Sequence, residues 1–218
     1  MKLSEIKKLL KEFKSVPTGD EFLDKLFQLE NHSRDYYRFF YQLVHKYSFK
    51  NIVELGGCDG TSAAYLASAG SKVITIDHHT DPFDELNVTR METAVRNFPN
   101  IKYCKGWTCT EIFLQEHDKH SKPGENAFPK VLEHLNGEKI DLLFIDSWHN
   151  DVQAFKDWNA YTPLLNKGAL VICDDIDQGS PGGGIYNMKE GFWDKLYHEK
   201  HLDKSLMYYP IGFLIYDS

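Results

Sequence analysis

Along the N-terminal part of the chain, apolar side chains recur every three or four positions. The opening MKLSEIKKLLKEFKS interleaves them with basic residues, and Phe22, Leu23, Leu26, Phe27, Tyr36, Phe39 and Phe40 keep the rhythm further on. This spacing gathers apolar groups on one helical face. Helices are therefore expected at roughly 3 to 14 and about 20 to 47, covering a core. From Asn51 the pattern changes to short apolar, β-branched runs: NIVEL, KVITID, IKYC, DLLFID and ALVICDD. Between them lie helical stretches: TSAAYLASAG, a segment near 85 to 98, and DVQAFKDWNAYTPLL. Apolar strands alternating with helices indicate a parallel sheet covered on both faces.

The expected fold is thus α/β, a Rossmann-like doubly wound sheet with N-terminal helices. SLMYYP and GFLIYDS, separated by little more than Pro210, Ile211 and Gly212, are expected to form an antiparallel C-terminal edge pair. The polar stretch from about 116 to 127, with Pro123 and Gly124, reads as a surface insertion. No linker divides the chain, so residues 1–48 are expected as a helical cap and 49–218 as the core of one compact domain.

Charge narrows the partners. A formal net charge of −7 disfavours a dedicated nucleic-acid or anionic-membrane binder, both of which rely on clustered Lys and Arg. No apolar run approaches the ~18 to 20 residues needed to cross a bilayer, and the basic opening lacks a signal peptide's apolar centre. Cys58, Cys104, Cys109 and Cys173 lack paired CxxC spacing, as expected for reduced thiols in a cytoplasmic protein. A small-molecule partner is favoured; oligomeric state, homo-oligomer included, is left open.

Two motif clusters carry the chemistry. After NIVEL, which ends Glu54-Leu55, come Gly56, Gly57, Cys58, Asp59 and Gly60, with Thr61 and Ser62 opening the next helix. Glycines permit a sharp turn and close approach to a ligand, while a helix N-terminus offers free N–H groups. Such a loop also suits a nicotinamide dinucleotide or a plain tight turn. Asp77, at the end of the next strand, stands where a carboxylate can accept hydrogen bonds from both ribose hydroxyls.

In the second cluster, DLLFID ends in Asp146 and continues Ser147, Trp148, His149, and ALVICDD ends in Asp174 and Asp175. Both should lie at the carboxyl edge of the sheet, where α/β folds bind ligands. Three carboxylates together repel one another, and a divalent oxygen-seeking cation, Mg²⁺ or Mn²⁺, relieves this. Asp151 and Asp177 are assigned instead to a helix cap and a loop. His149 is a candidate base because an unperturbed imidazole titrates near neutral pH.

The series E-L-G-G-C-D-G-T-S, then I-D, then a strand ending K-G-W-T, resembles the S-adenosylmethionine site of class I methyltransferases, particularly the catechol O-methyltransferase type. The resemblance spans about residues 50 to 216. It implies that Glu54, Gly56, Cys58 and Ser62 surround the methionine part, Asp77 holds ribose, and Trp107 and Thr108 lie beside adenine. Gly57, Gly60, Asp146 and Trp148 belong to the same expected set of cofactor contacts. Many methyltransferases carry glycine where this chain has Cys58.

Asp174 lies 28 positions after Asp146, an interval similar to that between metal-binding carboxylates in catechol-type and sugar-directed metal-dependent O-methyltransferases. The catechol-type pattern D-x-W-K has lysine as base where this chain has His149. D-S-W-H more closely resembles the sugar-directed macrolide-tailoring and cephalosporin-hydroxylase-like group. The expected reaction is methyl transfer to a hydroxyl of a small molecule or sugar. The acceptor pocket is expected to involve Trp148, Tyr186, Trp193 and a lid at Gly182-Gly183-Gly184. The rival readings are a metal-independent methyltransferase using His149 alone, a nicotinamide-dependent oxidoreductase, and a non-catalytic binding protein of this fold.

Overall fold

The computed structural model describes residues 1–29, 35–78, 84–108, 125–147, 149–176, 188–206 and 210–217. Strands β1 (Asn51–Leu55), β2 (Lys72–Asp77), β3 (Ile101–Lys105), β4 (Ile140–Ile145) and β5 (Leu165–Cys173) are parallel. β6 (Glu199–Asp203) and β7 (Ile211–Ile215) complete a seven-stranded sheet of order β3-β2-β1-β4-β5-β7-β6, with β7 antiparallel to both its neighbours.

Apolar residues on the central strands are sorted between two cores by the strand's period of two. Ile52, Leu142, Phe144, Leu170 and Ile172 face one; Val53, Leu143, Ile145, Val171 and Cys173 face the other. The first core is closed by α1 (Leu3–Glu12), α2 (Glu21–Leu29), α3 (Tyr36–Lys46) and α4 (Thr61–Ala67), with Ala94 from α5 (Asp84–Asn97). Tyr36, Phe39 and Phe40 are fully buried there, and the Tyr65 hydroxyl ties α4 to α2 by donating to the Leu23 carbonyl at 2.8 Å. Each such aromatic withdraws enough apolar surface from water to contribute about 1.5 to 3 kcal/mol. α6 (Phe128–Leu135), α7 (Asp151–Tyr161) and the turns at 188–195 close the second core.

Three expectations are revised. The stretch from 20 to 47 contains two separate helices, α2 and α3. The edge pair is antiparallel as expected, but β7's partner is EKHLD at 199–203 rather than SLMYYP, of which Met207 to Tyr209 lie outside the described residues. The side chains of β6 are mostly half-buried, so this edge strand has no apolar alternation to read. Helix α6 was not anticipated. Its Phe128, Val131, Leu132 and Leu135 do follow helical spacing, and Asn136, at φ 51, ends it in the left-handed conformation.

β1 connects toward β2 and β3, whereas β4 connects toward β5, so the chain leaves these adjacent strands in opposite directions. A crevice opens above their carboxyl ends, the usual ligand position in doubly wound sheets. No helix among the described residues is long and apolar enough to cross a membrane.

Candidate functional site

The loop after β1 is folded by its glycines and a buried carboxyl. Gly56 and Gly57 both donate their N–H groups to the Ile76 carbonyl, at 2.9 and 3.0 Å. Gly56 has φ +92, and a Cβ there would stand 2.0 Å from the Asp146 carbonyl oxygen, so glycine is required. Cys58 is itself left-handed at φ 42, and its N–H donates to Asp77 Oδ2 at 2.8 Å. Beneath the loop, Glu54 is fully buried, and the Thr75 hydroxyl donates to its Oε2 at 2.6 Å. Burial pushes the Glu54 carboxyl up to about 7, with the Ser62 and Thr75 hydroxyls pulling the other way.

Two cavities meet at Gly56 and Asp146. The first, about 240 Å³, is lined by Asp77, His78, Trp107, Thr108, Ser147 and Gln153 among others. Among the described residues, buried Trp107 Nε1 has no hydrogen-bond partner and His78 Nδ1 comes no nearer to one than Asp77 Oδ1 at 3.6 Å; the two rings meet edge to face at 4.3 Å. An unpaired buried donor is costly, so a ligand that supplies its partner binds more strongly. The second cavity, about 170 Å³, is walled by Cys58, Asp59, Ser62, Asn87 and Arg90. Arg90 reaches Asp59 at 3.2 Å. Arg90 and Asn87 were not anticipated, because nothing in the pattern of α5 shows which of its polar groups turn inward.

The carboxylate cluster follows from strand register. Ile145 pairs with Cys173, so the next residues, Asp146 and Asp174, emerge side by side above the sheet. Their backbones extend the ladder: Asp146 N–H donates to Leu55 and Asp174 N–H to Ile145, at 2.8 and 2.9 Å. Asp174 is 2% exposed, and its Oδ1 has no hydrogen-bond partner among the described residues. Burial, then the charges of Asp146 and Asp175, hold its carboxyl well above the usual range, while His149 pulls it down. Asp175 adopts φ 52, a strained value for a non-glycine residue.

His149 stands between the carboxylates, Nε2 3.0 Å from Asp146 Oδ1 and Nδ1 3.1 Å from Asp175 Oδ2. No three His, Cys, Asp or Glu residues among those described stand ready-arranged around a metal position. The donor chemistry nevertheless suits a hard divalent cation: carboxylate oxygens, mutual crowding, and a buried oxygen, Asp174 Oδ1, with no partner among the described residues.

A methyltransferase-domain family model matches residues 53–176, more than half of the chain, from β1 to just past Asp175. The chain belongs to this methyltransferase family. No curated protein matches it in sequence. Among solved structures, this methyltransferase is similar to the O-methyltransferase of Bacillus cereus, solved in complex with SAH: TM-score 0.62, 16% identity, covering 98% of this chain and 97% of that one. It is also similar to TomG of Streptomyces achromogenes, an O-methyltransferase involved in tomaymycin synthesis and solved with SAM: TM-score 0.61, 16% identity, 98% and 96% covered. A third is the SAH-bound methyltransferase PaMTH1 of Podospora anserina: TM-score 0.61, 14% identity, 99% and 94% covered. At these identities the likeness establishes the shared fold.

In this methyltransferase the first cavity gathers Gly56, Asp77, Trp107, Thr108 and Asp146, and the second Gly56, Gly57, Cys58, Ser62 and Asp146. Glu54 lies beneath the loop and Gly60 packs against Met91 and Ala94 of α5. Asp151 is the first residue of α7, but the cap is Asn150, whose Oδ1 accepts from Gln153 N–H at 2.8 Å. Trp193, expected at the acceptor pocket, is a core residue instead: it is 2% exposed, with its indole packed against Gly212 of β7. Cys104 and Cys173 are buried free thiols. Trp148, Asp177, Gly182 to Gly184, Tyr186, His79 and Cys109 lie outside the described residues.

Proposed function

We propose that this methyltransferase uses S-adenosylmethionine to methylate a hydroxyl of a small molecule or sugar, with a divalent cation, Mg²⁺ or Mn²⁺, at the carboxylate cluster. The carrying observation is the pair of cavities meeting at Gly56 and Asp146, because an elongated cofactor laid across them brings its middle to the carboxylates. Asp77 would hold the ribose, Trp107 and Thr108 would flank adenine, and the loop with Ser62 would enclose the methionine end. Glu54 would act from below, holding the loop's shape through Thr75.

Asp146, Asp174 and Asp175 would hold the cation, which when bound supplies Lewis acidity and a fixed position for the acceptor oxygen. The sulfonium already activates the methyl group, so the chain's own residues chiefly align and deprotonate. As the oxygen–methyl bond forms and the sulfur–methyl bond breaks, the hydroxyl proton must leave. His149 is the group to take it. In its neutral form, with Nδ1–H donating to Asp175 Oδ2 and Nε2 bare, the ring would accept the hydroxyl proton at Nε2, and Asp175 would orient it and stabilise the charge it gains; a cation held by Asp146 would take away the acceptor that now faces Nε2.

Calorimetry with S-adenosylhomocysteine and with NADH tests the cofactor, since an oxidoreductase shares the glycine loop and Asp77. Binding of S-adenosylhomocysteine but not NADH is expected; the reverse would overturn the proposal. Labelled methyl transfer to a panel of catechols, polyols and sugars, with and without Mg²⁺, then tests the acceptor class. The contact of His149 with two carboxylates favours one second reading, a metal-independent enzyme in which the same histidine acts alone. Full turnover after complete metal removal would select it.

A further inference from the structure

Asp157 lies on α7 and is entirely buried, yet both of its carboxylate oxygens are engaged. The Thr108 hydroxyl donates to Oδ1 at 2.6 Å, Gln153 Nε2 donates to the same oxygen at 3.1 Å, and the Ser147 hydroxyl donates to Oδ2 at 2.6 Å. The Tyr161 hydroxyl, one turn further along the helix, donates to the Thr108 carbonyl at 2.6 Å. Thr108, Ser147 and Gln153 all line the first cavity, whereas Asp157 does not. Thr108 closes the segment after β3. Ser147 sits in the loop after β4, between Asp146 and His149.

A buried carboxylate is costly unless hydrogen bonds satisfy it, and bonds to a charged acceptor are among the strong ones. Here they run from one helix to two loops that no strand pairing joins. Asn150 caps the same helix, which extends the attachment to the residue after His149.

We propose that Asp157 is a positioning residue that sets Ser147, and with it the adjoining metal-side carboxylate Asp146 and the base His149, in register with the adenosine wall. The proposal rests on the S-adenosylmethionine reading of the first cavity. Ligand contact at Thr108 is passed through Asp157 to Ser147, so occupation of the cavity makes the bonds that hold Ser147 and Asp146 harder to open. Gln153 would be held against the cavity by the same carboxylate.

The test combines S-adenosylhomocysteine calorimetry with amide hydrogen exchange over residues 144–150, so no acceptor is required. In the wild type, saturating S-adenosylhomocysteine should slow exchange in this segment. Asp157→Ala should weaken binding by roughly 10-fold or more and abolish the ligand-linked protection even at saturation. Asp157→Asn should retain most of both effects, because its amide oxygen can still accept from Thr108 while its nitrogen donates to Ser147. Should Asp157→Ala fail to fold, the two arms are cut separately. Thr108→Val should weaken binding, and Ser147→Ala should lose the protection over 144–150 even at saturating S-adenosylhomocysteine.

A merely structural role would lower the melting temperature yet leave protection intact at saturating ligand in these variants; that result would overturn the proposal. A wild type that binds S-adenosylhomocysteine with no change in exchange over 144–150 would also overturn it. Failure of the wild type to bind S-adenosylhomocysteine at all would instead overturn the cofactor reading, and this inference with it.

Discussion

His149 holds Asp146 through Nε2 at 3.0 Å, across a span of three residues in the loop that follows β4. The base candidate and a metal-ligand candidate are thus hydrogen-bonded to each other. A cation that engages Asp146 would take the acceptor away from Nε2, while Asp175 still holds the ring through Nδ1.

His149→Ala should therefore lower the rate of methyl transfer by roughly 10² to 10⁴, the contribution of a positioned base, with S-adenosylhomocysteine affinity near wild type. Single-turnover rates with any acceptor that supports reaction would measure this. Equal rates in variant and wild type across the pH range would remove His149 from the chemistry.

Asp174→Asn should change metal binding and stability in opposite directions. The native carboxyl is held above its usual range by burial and by Asp146 and Asp175, so its ionised form opposes folding at neutral pH. The amide removes that charge. Without metal, the variant should melt at a higher temperature than wild type, while its Mn²⁺ affinity, read by electron paramagnetic resonance, should fall. Undiminished Mn²⁺ binding would exclude Asp174 as a ligand.

Asp77→Ala should weaken S-adenosylhomocysteine binding by about 1.5 to 3 kcal/mol, the loss expected for hydrogen bonds to a charged group. Because Asp77 Oδ2 also accepts from Cys58 N–H, part of that loss comes through the loop. Calorimetry on Asp77→Ala and Asp77→Asn checks it. Unchanged affinity in both would mean that ribose is held elsewhere.

Glu54 predicts a pH-dependent stability. Its carboxyl is raised from 4.5 to about 7, so between those values the folded protein keeps a proton that the unfolded chain releases. Stability contributed by this group is complete below pH 4.5 and lost as pH rises to about 7, by about 3 kcal/mol in total. Glu54→Gln should flatten that part of the profile. Denaturant unfolding at several pH values compares the two slopes, and identical slopes would contradict the raised value.

Much of the fold was legible because burial writes a pattern. β1, β2, β4 and the second half of β5 are buried on both faces and read as near-continuous apolar runs, whereas the edge strand β3 is partly exposed, and the helices of the first core repeat every three or four residues. The glycine loop, Asp77, Asp146, Asp174 and Asp175 were legible for a related reason: each ends or closely follows such a strand, so locating the strand locates the residue at its carboxyl end. β6 was misplaced because a half-buried edge carries no such pattern. What the sequence could not contain were relationships between segments distant along the chain. The Ile145–Cys173 register sets Asp146 beside Asp174; the turn of α7 directs Asp157 toward Thr108 and Ser147; close packing leaves no room for a side chain at Gly56 beside the Asp146 carbonyl. Local residue order determines which groups stand at the sheet's edge. Which of them touch depends on strand pairing and helix packing, whose distances are set only when the whole core closes.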